Sequence, residues 1–177
     1  MIKPIGGIAA TVAIQGITID NNLGGGLRVD GTGGSGAVNV AITDSLVSFN
    51  ASNGFNAVSG PGNVTLDIAR VIVRSNGSSG TESTGGTASV TVGSSLIRGN
   101  VVGVTAIGGA RLLSYSNNQV TGNISNGSFT GGAGLQRGKF HPICELEREV
   151  SPPRAGGYHI RPGHFTNFNA GMFELNP

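Results

Sequence analysis

Five times between residues 22 and 127 an asparagine is followed, after two or three residues, by a glycine. The pairs are Asn22 and Gly26, Asn50 and Gly54, Asn76 and Gly80, Asn100 and Gly103, and Asn123 and Gly127. Successive asparagines lie 28, 26, 24 and 23 residues apart. A period of this size marks a chain built from stacked supersecondary units. The drift points to coils whose loops vary in length.

Alignment on the asparagine without gaps exposes three apolar columns upstream. Ten residues before it stand Val12, Val40, Leu66, Val90 and Leu113; eight before it, Ile14, Ile42, Ile68, Val92 and Tyr115; three before it, Ile19, Val47, Val73, Ile97 and Val120. All fifteen are apolar in a chain that is 37% apolar. Thr11, Asn39, Thr65 and Ser89, which precede the first column, are polar. Alternation of period two is the pattern of a half-buried strand. A second, weaker alternation follows each glycine, as in Leu27 and Val29, Phe55 and Ala57, and Val104 and Ala106, and it gives way to polar residues at Thr81 and Ser128.

Each repeat therefore holds two or three short strands joined at glycine-rich corners. Stacked coil on coil at ~4.8 Å, such units pair every strand with the one above and below. The expected fold is an all-β, right-handed, single-stranded parallel β-helix of about five coils over residues 1–136. Asn22, Asn50, Asn76, Asn100 and Asn123 are expected to form a structural ladder, each amide bonding its neighbour along the axis. The following glycine is expected to supply a backbone angle that other residues adopt at a cost.

The phrases VNVAITDSLVSFNASNG (38–54), VTLDIARVIVRSNGSSG (64–80) and SVTVGSSLIRGNVVG (89–103) resemble coils of the right-handed parallel β-helix proteins of the pectin-lyase-like superfamily, in particular its bacterial members. LLSYSNNQVTGNISNGSFTG (112–131) resembles their closing rung. The resemblance spans residues 8–136. It implies the fold, and a secreted or cell-surface setting. That superfamily holds lyases, hydrolases, epimerases and adhesins, so fold alone does not select an activity.

Residues 137–177 break the repeat. They hold all three histidines and the only cysteine, and Pro142, Pro152, Pro153 and Pro162 block long helices and central strands. This stretch reads as a non-repeat tail, irregular or disordered, with a packed cap and an out-of-frame extension as the alternatives. The pattern is already under way by Ala10, which leads to the expectation of a carboxy-terminal portion of a longer β-helix, or of self-association through an open amino-terminal coil. One positive charge and a glycine pair argue against a cleaved signal peptide in the first fifteen residues. No apolar run approaches the ~18 residues of a membrane helix, and a net charge of +2 is too small to imply nucleic acid. A single cysteine excludes an intramolecular disulfide framework.

Candidate chemistry is sparse. A lyase of the resembled kind needs clustered carboxylates for Ca2+ and a basic residue as proton acceptor, and a glycosidase needs a carboxylate pair. The body carries only Asp20, Asp30, Asp44, Asp67 and Glu82. Asp44 shares an alignment column with Arg70, which predicts an ion pair between rungs, and Asp67 falls between Ala41 and Thr91. Arg74 and Arg98 stack in one column with Asp20 and Ser48; they are the candidate ligand-binding residues, suited to an anionic glycan or phosphate. Gly24-Gly-Gly-Leu-Arg-Val-Asp30 misses the nonapeptide calcium roll because Leu27 takes a required glycine. His141, Cys144, His159 and His164 have the spacing of a small zinc module with histidine in the first place. The aromatic residues offer no evident sugar platform, since Tyr115 falls in an inward column and Phe49, Phe55 and Phe129 lie near corners. No cofactor is expected. The sequence reads as a non-enzymatic structural or surface-interaction solenoid with carbohydrate as a candidate partner; the competing reading is a lyase or hydrolase fragment without its catalytic coils.

Overall fold

A computed structural model of the chain describes residues 1–134. Sixteen strands, numbered in chain order, form three parallel sheets. The first contains β1 (Ala10–Gln15), β4 (Val38–Thr43), β7 (Val64–Ala69), β10 (Ala88–Gly93), β13 (Arg111–Ser114) and β16 (Gly131–Gly132), side by side in that order. The second contains β2 (Thr18–Asp20), β5 (Leu46–Ser48), β8 (Ile72–Arg74), β11 (Leu96–Arg98) and β14 (Gln119–Thr121). The third contains β3 (Leu27–Asp30), β6 (Phe55–Val58), β9 (Ser79–Thr84), β12 (Val102–Ile107) and β15 (Ser125–Gly127). Every third strand returns to the same sheet, so the chain is a parallel β-solenoid of about five turns. Three strands make each turn, and a single 3-10 turn at Gly31–Gly33 is the one helical element among the described residues.

Alternation along each strand sends one set of side chains inward. Val12, Val40, Leu66 and Val90 pair in register, as do Ile14, Ile42, Ile68 and Val92. Ile19, Val47, Val73, Ile97 and Val120 form a third column. Leu27, Phe55 and Thr81 continue the interior on the third sheet. From the second turn to the fourth these aliphatics are fully buried, each contributing about 1.5–3 kcal/mol of transfer energy.

The fifth turn departs from the ungapped alignment. Leu112, not Leu113, pairs with Val90 and is buried, while Leu113 pairs with Thr91 and faces outward. Ser114 takes the place expected for Tyr115, which stands one position further on and is 38% exposed. The cause is one extra residue in the corner Ser116-Asn117-Asn118, which shifts everything upstream of Val120 by one. Adjacent leucines satisfy the apolar pattern in either register, so alternation alone cannot choose between them.

Each turn bends at three corners, and at two of them the left-handed backbone falls where the sequence does not advertise it. Asn21, Phe49, Ser75, Gly99 and Gly122, the residues just before the ladder asparagines, have φ between 54° and 67°. Gly16, Asp44, Arg70 and Ser94 play the same part at the other corner. Among the glycines after the asparagines Gly127 has the expected left-handed backbone, φ 68°, whereas Gly26, Gly54, Gly80 and Gly103 are required for space instead. A Cβ on Gly54 would lie 2.7 Å from both the Gly80 carbonyl oxygen and Val73 Cγ1, and one on Gly80 would meet Gly103 and Ile97 equally closely.

Candidate functional site

The ladder asparagines occupy the corner between the second and third sheets. Asn22 Nδ2 donates to Asn50 Oδ1 at 2.8 Å, Asn50 Nδ2 to Asn76 Oδ1 at 2.9 Å, Asn76 Nδ2 to Asn100 Oδ1 at 2.9 Å, and Asn100 Nδ2 to Asn123 Oδ1 at 3.0 Å. Asn50, Asn76 and Asn100 also donate to the carbonyls of Ile19, Val47 and Val73. With their amides so engaged and those three side chains buried, they hold the corner together and present nothing to a ligand. A second polar ladder, without a signature in the sequence, lines the corner between the first and second sheets. Ser45 Oγ accepts from the Ile17 amide, Ser95 Oγ from the Val71 amide, and Asn118 Oδ1 from the Ser95 amide.

The carboxylates are dispersed and mostly committed to structure. Asp44 is held by Arg70 through a two-pronged contact of 2.7 and 2.9 Å; the guanidinium brings its pKa down to about 2. Asp30 is buried. Burial alone would raise its pKa, but the Thr32 hydroxyl at 2.6 Å, the Thr32 amide at 2.8 Å and Arg28 at 3.1 Å lower it to about 2. Those bonds close the turn after Gly24-Gly-Gly-Leu-Arg-Val-Asp30 on itself. Glu82 accepts from Asn56 and Thr84 on the third sheet. Asp67 stands alone on the outside of the first sheet between Ala41 and Thr91. Among the described residues no three His, Cys, Asp or Glu side chains converge. His141, Cys144, His159 and His164 lie outside the described residues.

Two outer faces remain with chemistry to offer. On the second sheet Arg74 and Arg98 stand in register on neighbouring strands, following Asp20 and Ser48 in the same column. Arg74 lies over the Phe49 ring, 5.1 Å from its centroid, a cation–π contact. Beside them Leu46, Ile72 and Leu96 form an outward apolar column, and the two columns border a groove of about 490 Å³.

On the first sheet one outward column is mixed, with Ala41, Asp67, Thr91 and Leu113, and the other is polar. Asn39, Thr65, Ser89 and Arg111 stack in the polar one. Asn63, Thr65, Thr87, Ser89 and Arg111 line a second groove of about 310 Å³. At the far margin of this face the Tyr115 ring lies across Gly93, where an added Cβ would be only 2.8 Å from Cδ2. The ring has a seat only because residue 93 is glycine. The register shift of the fifth turn thus turns outward an aromatic residue that the ungapped alignment places inside.

No protein-family model, curated protein or solved structure matches the chain. What this solenoid does must be argued from its own surface.

Proposed function

We propose that this chain is a non-enzymatic structural and surface-interaction domain of the right-handed, pectin-lyase-like β-helix kind, which associates with glycan through the outer face of its first sheet. The observation that carries the reading is the exposed Tyr115 ring at the margin of that hydroxyl- and amide-rich face. A tyrosine combines an apolar ring face for a pyranose with a polar tip. Thr65, Thr87, Ser89, Asn63 and Arg111 supply donors and acceptors for sugar hydroxyls on the same side of the sheet. The non-enzymatic part is supported by the carboxylates: Asp44 and Asp30 are tied to arginines, Glu82 to hydroxyl and amide neighbours, and Asp67 has no acidic neighbour in its column. A general acid and base need two groups facing one substrate bond.

A glycan array probed with the full chain tests this. The expected result is binding to a restricted set of glycans that Tyr115→Ala weakens about tenfold, corresponding to ~1.4 kcal/mol, without new reducing ends or unsaturated products. Failure to bind any glycan overturns the carbohydrate assignment. Cleavage of a uronate polymer, lost on changing one aspartate, overturns the non-enzymatic reading in favour of a lyase or hydrolase.

A further inference from the structure

The outer face of the second sheet is separate from the proposed glycan face and carries its own asymmetry. Its two outward columns read Thr18, Leu46, Ile72, Leu96, Gln119 and Asp20, Ser48, Arg74, Arg98, Thr121 along the axis. Ile72 is 43% exposed and Phe49, at its flank, 49%. Arg74 and Arg98 are like charges directly opposite one another on adjacent strands, an arrangement that opposes pairing. Among the described residues neither has a carboxylate within ion-pair distance. Asp20, at the other end of the same column, receives only a 3.3 Å hydrogen bond from its neighbour Asn21. Two cations and one carboxylate thus lie on one strip, with apolar side chains alongside.

We propose that this face pairs with the same face of a second copy of the chain, the two solenoids running antiparallel. A two-fold axis lying between the faces, parallel to the strands, sets each column against itself in reverse order. Placing the first turn against the fourth, and the second against the third, brings Asp20 to the partner's Arg98 and Leu46 to the partner's Ile72. Symmetry repeats each contact, so two Asp20–Arg98 pairs flank an apolar centre and relieve the arginine stack. A parallel arrangement instead sets the apolar column against the charged one. The footprint, five strands at ~4.8 Å by three residues at ~3.3 Å, is smaller than the ~800 Å² per partner of a stable complex, so the dimer is weak and reversible.

Sedimentation velocity of the full chain across a concentration series, at low and at high salt, tests the proposal with Asp20→Arg, Arg98→Asp, the double exchange and Ile72→Asp. All three positions are at the surface, and matched far-UV circular dichroism checks that the variants fold. The wild type is expected to dimerise with rising concentration, less so in high salt. Each single charge variant and Ile72→Asp should weaken association at least tenfold, and the double exchange should restore it. A chain that is monomeric at every concentration overturns the proposal, as does a dimer indifferent to Asp20→Arg and Arg98→Asp. A double exchange as weak as the single variants also overturns it; dextran sulfate bound by the wild type and lost on Arg98→Asp then assigns the arginines to an external anion.

Discussion

Asn76 and Asn100 are joined twice: the Asn100 side-chain oxygen accepts from the Asn76 side-chain amide at 2.9 Å and from the Asn76 backbone amide at 3.0 Å. The same double contact links Asn50 to Asn76. One side chain therefore satisfies a buried backbone donor in the turn before it while its own amide reaches the turn after. This is how the corner turns without leaving polar groups stranded.

Asn76→Ala removes the acceptor for both the backbone and the side-chain amide of Asn50, each buried. Leaving such donors unmatched costs ~1–3 kcal/mol apiece, so a loss of about 3 kcal/mol is expected. Asn22→Ala, at the exposed first turn, strands no buried group, and should cost less than about 1 kcal/mol. Denaturant melts of the two variants check the contrast; equal losses would show that the ladder is not what holds the corner.

The third sheet predicts a gain. Thr81 stands in the interior column between Phe55 and Val104, and its hydroxyl, like that of Ser83, is buried with no hydrogen-bond partner. Valine has nearly the same shape without the stranded oxygen. Thr81→Val should raise stability by about 1 kcal/mol, measured as a higher denaturation midpoint at unchanged slope. Destabilisation would place a partner on that hydroxyl.

The Asp44–Arg70 pair predicts a pH effect. Arg70 holds the folded pKa of Asp44 near 2, below its ordinary 3.8. A depressed folded pKa adds stability above the unfolded value, and that contribution fades as pH falls from about 3.8 through about 2. Arg70→Ala should move the Asp44 titration, followed by carboxyl carbon NMR, up toward 3.8 and flatten this part of the acid limb. An unmoved titration would mean that the guanidinium does not set it.

Most of the first four turns was legible because β-branched and leucine residues alternate with small polar ones, and because a single slip would turn a whole strand inside out. Val40 over Leu66 and Ile42 over Ile68 required no more than that. The fifth turn was not legible: Leu112 and Leu113 are equally apolar, and the extra corner residue among Ser116, Asn117 and Asn118 has no hydropathic signature. The ungapped alignment puts Tyr115 inside for this reason and hides the aromatic margin of the candidate glycan face. Ser45 and Ser95 look like ordinary loop serines, and their role emerges only once the Ile17 and Val71 amides are seen above them. The polar Thr81 and Ser83 concealed an interior strand. Spacing alone puts Arg74 and Arg98 in one column, but the apolar column of Leu46, Ile72 and Leu96 beside them has no mark in the sequence, because outward aliphatics in three-residue strands leave no alternation to follow.

Methyl-to-methyl nuclear Overhauser contacts among Ile42, Ile68 and Val92 test the stacking of successive turns most directly. Register pairs Ile42 with Ile68 and Ile68 with Val92, one rung of ~4.8 Å at each step. Strong cross-peaks are predicted for both of those pairs, and a much weaker one, or none, between Ile42 and Val92. A direct Ile42–Val92 contact stronger than either, or an Ile68 that touches neither neighbour, would contradict the winding of this chain about a single axis.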